Sequence, residues 1–209
     1  MTYINPSADN ITGWVLAGGQ GLRMGGVDKG LQSFQGQPLA LIALERLRPQ
    51  VKTVCINANR NLDHYRSWGC NVHQDMAHGF AGPLMGFLTG LHHCQTEWLM
   101  IVPCDSPFFP LDLVARLAKA AHHQQTALAM VNAHEMNKQG VLESRPQPVF
   151  CLLHKHLEVN LQSFLDAGGR KIDAWTAQHP TTVVNFHSPQ QDFLEFTNFN
   201  SISDFPIDP

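Results

Sequence analysis

An apolar run that passes directly into a glycine-rich, basic loop restricts the folds open to this chain. Gly13-Trp14-Val15-Leu16-Ala17 has the length and composition of a buried strand. Gly18-Gly19-Gln20-Gly21-Leu22-Arg23-Met24-Gly25-Gly26-Val27-Asp28-Lys29 follows it, with five glycines and two cations. Glycines admit positive φ and close backbone approach, so successive N–H groups can converge on phosphate oxygens, while Arg23 and Lys29 add charge that amides lack. Ligands of open α/β sheets bind at the carboxyl ends of the strands. Position and content together point to a polyphosphate site rather than a surface loop with incidental charges. Neither of two better-known phosphate motifs is present: G-x-x-x-x-G-K-[ST] is absent, and Gly19-x-Gly21 is followed by Met24 where G-x-G-x-x-G needs glycine.

The rest of the chain repeats the alternation that the junction begins. Strand-length apolar runs at 13–17, 53–58, 70–74, 98–103, 127–131, 149–153 and 182–186 alternate with helical patterns, which predicts an α/β fold with a parallel sheet and crossover helices. Leu84, Phe87, Leu88 and Leu91 recur at helical spacing, as do Val114, Leu117, Ala118 and Ala121, and Pro83 and Pro110 stand where those helices would begin. Residues 39–47 are apolar nearly all round and predict a well-buried helix with Pro38 near its first turn. Only 134–144 shows neither period, and it reads as a polar loop beside the active-site edge. The 209 residues, 44% of them hydrophobic, suit one domain spanning 1–209.

Charge and cysteine usage exclude several classes. Fourteen Lys and Arg against seventeen Asp and Glu are too evenly balanced for a chain that holds nucleic acid by phosphate contacts alone. The five cysteines form no C-x-x-C pair, which argues against a disulfide framework or zinc ribbon and suits a reducing cytoplasm. No stretch approaches the roughly 18 apolar residues of a membrane span. Twelve histidines invite a metal reading. However, His134-Glu135-Met136-Asn137-Lys138 ends in lysine where H-E-x-x-H needs histidine, and His92-His93 and His122-His123 fall late in helices, where cations suit the dipole.

Asp105 follows an apolar strand and precedes a proline turn, which holds a hard oxygen ligand at the sheet's carboxyl edge. Mg²⁺ keeps several waters and needs only one or two carboxylates beside substrate phosphates, so this residue alone would serve. A structural cap for the helix near Pro110 is the alternative. Asn57 and Asp75 also follow predicted strands; on its own, Asn57 reads equally well as a turn residue. Gly82-Pro83 reads as a helix start. Gly168-Gly169-Arg170-Lys171 could bring amides and two cations to an acceptor phosphate, or could be a helix C-cap followed by a charged helix start.

The run Leu16-Ala17-Gly18-Gly19, then Arg23-Met24-Gly25, then Lys29 resembles the signature of the molybdenum cofactor guanylyltransferases, within the Rossmann-like nucleotidyltransferases. Asn57-Ala58-Asn59-Arg60, Asp75, Gly82-Pro83-Leu84, Pro103-Cys104-Asp105-Ser106-Pro107-Phe108 and Asn198-x-Asn200 match in the expected order. The resemblance implies a three-layer fold with a mostly parallel central sheet, of the nucleotide-diphospho-sugar-transferase type. It implies transfer of GMP from GTP to molybdopterin with release of pyrophosphate. Leu16, Ala17, Gly18, Gly19, Lys29, Asn57, Asp75, Gly82 and Asp105 would bind nucleotide. Arg23, Lys29 and Asp105 would be catalytic, with Asp105 on Mg²⁺. Asn198 and Asn200 would lie near the acceptor, joined by Arg170 and Lys171. Other proteins of molybdenum cofactor biosynthesis and client molybdoenzymes are the partners it implies. Two alternatives stay open. A cytidylyltransferase would be expected to read Leu-Ala-Ala-Gly at 16–19, and a carrier without turnover would not need Lys29 and Asp105 together.

Overall fold

The computed structural model describes residue 3 and residues 5–18, 28–77, 82–136, 142–186 and 195–199. In chain order the elements are β1 (Ile11–Leu16), the short pair β2 (Ser33–Phe34) and β3 (Gln37–Pro38), α1 (Leu39–Leu47), β4 (Thr53–Asn57), α2 (Leu62–Arg66) and β5 (Asn71–His73). There follow α3 (Pro83–His93), β6 (Trp98–Pro103), α4 (Leu113–Gln124), β7 (Leu128–Met136), β8 (Leu142–His154), α5 (Glu158–Asp166), α6 (Ile172–Thr176) and β9 (Thr181–Phe186). Among the described residues the main sheet has the order β5-β4-β1-β6-β8-β7-β9. β8 alone runs against its neighbours; β5, β4, β1 and β6 are mutually parallel, and β9 is parallel to β7.

Strand alternation divides the apolar residues between two cores. Ile11, Val15, Val54, Ile56, Met100 and Val102 point to one face, where Ala40 and Leu44 of α1 and Leu117 and Ala121 of α4 cover them. Trp14, Cys55, Leu99 and Ile101 point to the other, under Phe87 and Leu88 of α3, Leu161 and Leu165 of α5 and Trp175 of α6. Successive side chains on a strand face opposite ways, so runs that are apolar throughout must be covered on both sides. The result is the expected three-layer α/β/α arrangement. Pro83 is the first residue of α3, as its spacing predicts, whereas α4 begins at Leu113 and Pro110 lies in the preceding turn.

The expected loop at 134–144 is corrected by the structure. Residues 131–136 of β7 pair with 142–147 of β8, from Val131↔Gln147 to Met136↔Leu142, as the arms of an antiparallel hairpin. β8 meets β6 only through Cys151–His154, so the hairpin runs past the carboxyl end of β6. Val131 and Ala133 of the β7 arm are buried in the core, whereas residues 143–147 of the β8 arm are half-buried or exposed, so only one arm faces a core and the period that marks other strands is cut short. A register shift between Met130 and Val131 separates the buried part of β8 from this extension. Pro146 is tolerated there because β8 has a neighbour on one side only.

Candidate active site

The carboxyl ends of β4, β1 and β6 finish at one level. Leu16 stands opposite Asn57 on one side and Pro103 on the other. The ladder continues one residue further, from Ala17 N to Asn57 O at 2.8 Å and from Cys104 N to Leu16 O at 3.0 Å. Gly18, Asn59 and Asp105 therefore leave the sheet side by side. From β1 the chain moves to β4 and β5 on one side and then returns to β6 on the other, which makes this edge the topological switch point where open α/β sheets bind ligands.

Lys29 and Asp105 meet here although the sequence separates them widely: Lys29 Nζ lies 3.3 Å from Asp105 Oδ2, with the side chains 28% and 19% exposed. The lysine is presented by a short 3₁₀ turn, Lys29–Leu31, capped by Asp28, whose Oδ1 accepts from Gly30 N at 3.1 Å. Tyr65 Oη donates to the same oxygen at 2.7 Å and Asn61 Nδ2 to Asp28 Oδ2 at 2.9 Å. Tyr65 is fully buried, and burial, reinforced by the bond to Asp28, pushes its hydroxyl well above its ordinary pKa, so it remains a donor. Position 30 must be glycine, since a Cβ there would stand 2.4 Å from Tyr65 Oη. Asp28 is thus engaged as a structural anchor and Asp105 is the carboxylate at the edge. The neighbouring Cys104 thiol is raised well above its ordinary value by burial and stays neutral.

On the other flank Asn57 is 2% exposed and its Nδ2 donates to His73 O at 3.2 Å and to Asp75 Oδ1 at 3.0 Å. Asn59 Nδ2 donates to Asp75 Oδ2 at 2.8 Å and to Gly18 O at 3.1 Å, while Asn59 Oδ1 accepts from Asp75 N at 2.9 Å. Asn57 and Asp75, matched one by one in the sequence, are in direct contact. The first turn of α3 closes against them: a Cβ on Gly86 would lie 2.6 Å from Asn57 Oδ1. Gly82, the N-cap of α3, has φ 69°, a left-handed value that suits glycine. Asn59 and Asp28 are absent from the expected site. Asn59 carries a signal in hindsight, lying two residues beyond Asn57 on the strand period.

The acceptor residues are placed less uniformly. Gly168 N donates to Leu165 O at 3.0 Å and Gly169 N to Phe164 O at 2.9 Å, the paired bonds that close the C-terminus of α5 around a glycine at φ 88°. Arg170 Nη1 joins that cap, donating to Leu165 O at 2.8 Å. These amides and Arg170 Nη1 complete a helix end, the alternative weighed for them above. Lys171 is exposed at the N-cap of α6. Asn198 is exposed beside Phe199, whose N–H donates to Asp105 O at 2.8 Å and whose ring packs with Phe34 and Phe108. Gly19, Arg23 and Asn200 lie outside the described residues.

An open, largely parallel sheet with a lysine, a carboxylate and the start of a glycine-rich loop at its switch point defines a nucleotidyltransferase-type α/β enzyme. The profile of the MobA-like NTP transferase domain matches residues 13–182, and the chain belongs to that family. It is 54% identical over 199 residues to a molybdenum cofactor guanylyltransferase of Albidiferax ferrireducens, covering 94% of each chain. It is 51% identical to the protein of that name from Ralstonia nicotianae, over 95% of each. Among solved structures it resembles molybdopterin-guanine dinucleotide biosynthesis protein A from Archaeoglobus fulgidus, with TM-score 0.72, 17% identity and coverage of 92% and 94%. It also resembles 2-C-methyl-D-erythritol 4-phosphate cytidylyltransferase from Thermus thermophilus, with TM-score 0.64, 12% identity and coverage of 91% and 93%. Among the described residues no helix is long and apolar enough to cross a membrane.

Proposed function

We propose that this chain, acting as a single domain over residues 1–209, transfers GMP from GTP to the phosphate of molybdopterin, forming molybdopterin guanine dinucleotide and releasing pyrophosphate. The observation that carries the reading is the Lys29–Asp105 pair at 3.3 Å, on the edge where the loop beginning at Gly18 leaves β1. Relatives 54% identical along nearly the whole chain supply the nucleotide and the acceptor by name. The free cysteines support the cytoplasm as its compartment.

The family is consistent with a divalent metal, and the donor set fits a hydrated hard cation. Asp105 offers oxygen at an edge where it already accepts one cation, Lys29. Among the described residues no group of three or more His, Cys, Asp or Glu side chains could hold a metal. One carboxylate completed by substrate phosphates is the usual arrangement for Mg²⁺, so we assign Mg²⁺ to Asp105. When bound it supplies charge neutralisation at the phosphate oxygens. The amides of Gly18 and Gly19, with Arg23 and Lys29, hold the triphosphate in line with the acceptor. A phosphate monoester is already ionised near neutral pH, so no general base is needed and the residues contribute orientation and charge. Asp75 keeps two lone-pair directions beyond those facing Asn57 and Asn59, which suits the N1–H and N2–H₂ donors of guanine. We place Asn57 and Gly82 on the same nucleotide, and Asn198, Asn200 and Lys171 towards the acceptor.

Incubating the protein with molybdopterin, Mg²⁺ and each NTP in turn, then weighing the product and counting released pyrophosphate, tests the proposal. GTP should exceed CTP by roughly 10²-fold in kcat/KM, because each unmatched polar group costs about 1–3 kcal/mol. Equal values, or a preference for CTP, would overturn the guanylyl assignment; binding without pyrophosphate release would favour a carrier.

A further inference from the structure

Asn59 ties together residues that follow three neighbouring strands. Its Nδ2 reaches Gly18 O, beyond β1, and Asp75 Oδ2, beyond β5, while its Oδ1 takes the Asp75 N–H; Asn59 itself follows β4. Both amide hydrogens and the amide oxygen are therefore engaged. Turning the carboxamide over would set its oxygen against the Gly18 carbonyl and the Asp75 carboxylate, so its orientation is fixed by its partners. The two bonds to Asp75, one to main chain and one to side chain, close a ring that fixes the aspartate's backbone and rotamer together. Asn57 Nδ2 holds the other carboxylate oxygen at 3.0 Å. Asn59 is half-buried and follows β4 at the carboxyl edge of the sheet, where this network lies.

We infer that Asn59 is a positioning residue for base selection, acting through Asp75: it holds the carboxylate in the plane and rotamer that let both remaining lone-pair directions meet two parallel N–H donors. The inference rests on the reading of Asp75 as the group that receives guanine. Parallel donor pairs demand alignment at both ends, and a carboxylate released on one side keeps its charge but loses that alignment. Loss of Asn59 therefore removes discrimination more than it removes attraction for a nucleoside triphosphate as such.

The test compares binding of GTP and ITP, which lacks only the 2-amino group, by calorimetry with Mg²⁺ present. The proteins are wild type, Asn59→Ala, the near-isosteric Asn59→Asp, Asp75→Ala and the Asn59→Ala/Asp75→Ala double variant. Wild type should favour GTP. Both Asn59 variants should weaken GTP by roughly tenfold or more, as for loss of a matched polar contact. They should weaken ITP less, bringing the two affinities together, and Asn59→Ala should change the ratio no further in the Asp75→Ala background. Equal weakening of GTP and ITP, an effect on the ratio that persists without Asp75, or a wild type with no preference would each overturn the inference. The expected pattern in a protein that transfers no GMP would refute the proposed function and leave this inference standing.

Discussion

Gly86→Ala sets two effects of opposite sign against each other. Alanine is the better helix former, so replacing a glycine inside α3 should stabilise by about 0.5–1 kcal/mol on backbone propensity alone. The structure opposes this, because a Cβ at position 86 would sit 2.6 Å from both Asn57 Oδ1 and Leu16 Cδ2. Overpacking of that kind costs about 1–3 kcal/mol. Leu16 can turn aside. Asn57 cannot without stretching its bonds to His73 O and Asp75 Oδ1, at 3.2 and 3.0 Å. The net effect is a destabilisation of about 0–2 kcal/mol, accompanied by weaker GTP binding as Asn57 is displaced. Gly90→Ala is the control: its Cβ would meet Leu99 Cδ2 at 2.8 Å and the Trp14 ring at 3.0 Å, in the core and away from the edge. Gly90→Ala should lower stability and leave GTP affinity unchanged. Urea unfolding and calorimetric titration on both variants decide the matter. A Gly86→Ala protein that is stabilised and binds GTP like wild type would refute the packing argument.

Asp105→Ala should abolish turnover while the fold persists, since the side chain stands at the edge and its loss creates no core cavity; single-turnover assays and circular dichroism read the two separately. Lys29→Ala should lower kcat/KM for GTP by roughly 10² or more through loss of a charge-assisted phosphate contact, and an unchanged value would remove Lys29 from the site. Arg170→Ala should cost about 0.5–1 kcal/mol of stability as the α5 cap loosens, with no change in KM for molybdopterin; a raised KM would restore Arg170 to the acceptor site. The raised pKa of Tyr65 carries a pH prediction. Below about pH 10 both folded and unfolded states keep the phenolic proton; above it only the unfolded state loses it, so stability should fall by about 1.4 kcal/mol per pH unit. Denaturant midpoints between about pH 9 and 11 should show that component in wild type and not in Tyr65→Phe.

Legibility in the sequence followed burial. The face of α4 was readable because Val114, Leu117, Ala118 and Ala121 press on the sheet and a helix buried on one side must repeat its apolar residues. α3 is buried along all of Leu84–Leu91, and its period was readable because the large apolar residues Leu84, Phe87, Leu88 and Leu91 fall on one stripe among smaller or polar ones. In the 131–136 and 142–147 hairpin arms only Val131 and Ala133 of the first are buried in the core while 143–147 are half-buried or exposed, so the buried stretch was too short to leave a period to read. The site divides in the same way. Lys29 and Asp105, which the structure brings together, could be singled out because charged residues next to glycine and proline turns stand out locally. Asn59 and Asp28 could not, because their roles depend on partners brought by topology: Gly18 and Asp75 for the one, Tyr65 and Asn61 for the other. Gly168–Lys171 was ambiguous in sequence because a helix cap and an anion nest use the same glycines and cations; the hydrogen bonds show the cap.

The order of the sheet also has a consequence for how a growing chain reaches its working form. β1 emerges early, yet its two flanking partners are β4 and β6, and β6 is made only after three of the helices. A strand that must wait for a distant partner remains an open template with exposed apolar faces during synthesis, the situation in which slow, non-local pairing invites aggregation. Lys29 leaves the ribosome long before Asp105, and the backbone bond from Phe199 to Asp105 comes later still. The residues placed on the nucleotide are therefore all made by the time Asp105 emerges, before β7, β8 and β9, so a stalled or truncated chain is expected to carry those residues on an incomplete sheet, without the bond from Phe199.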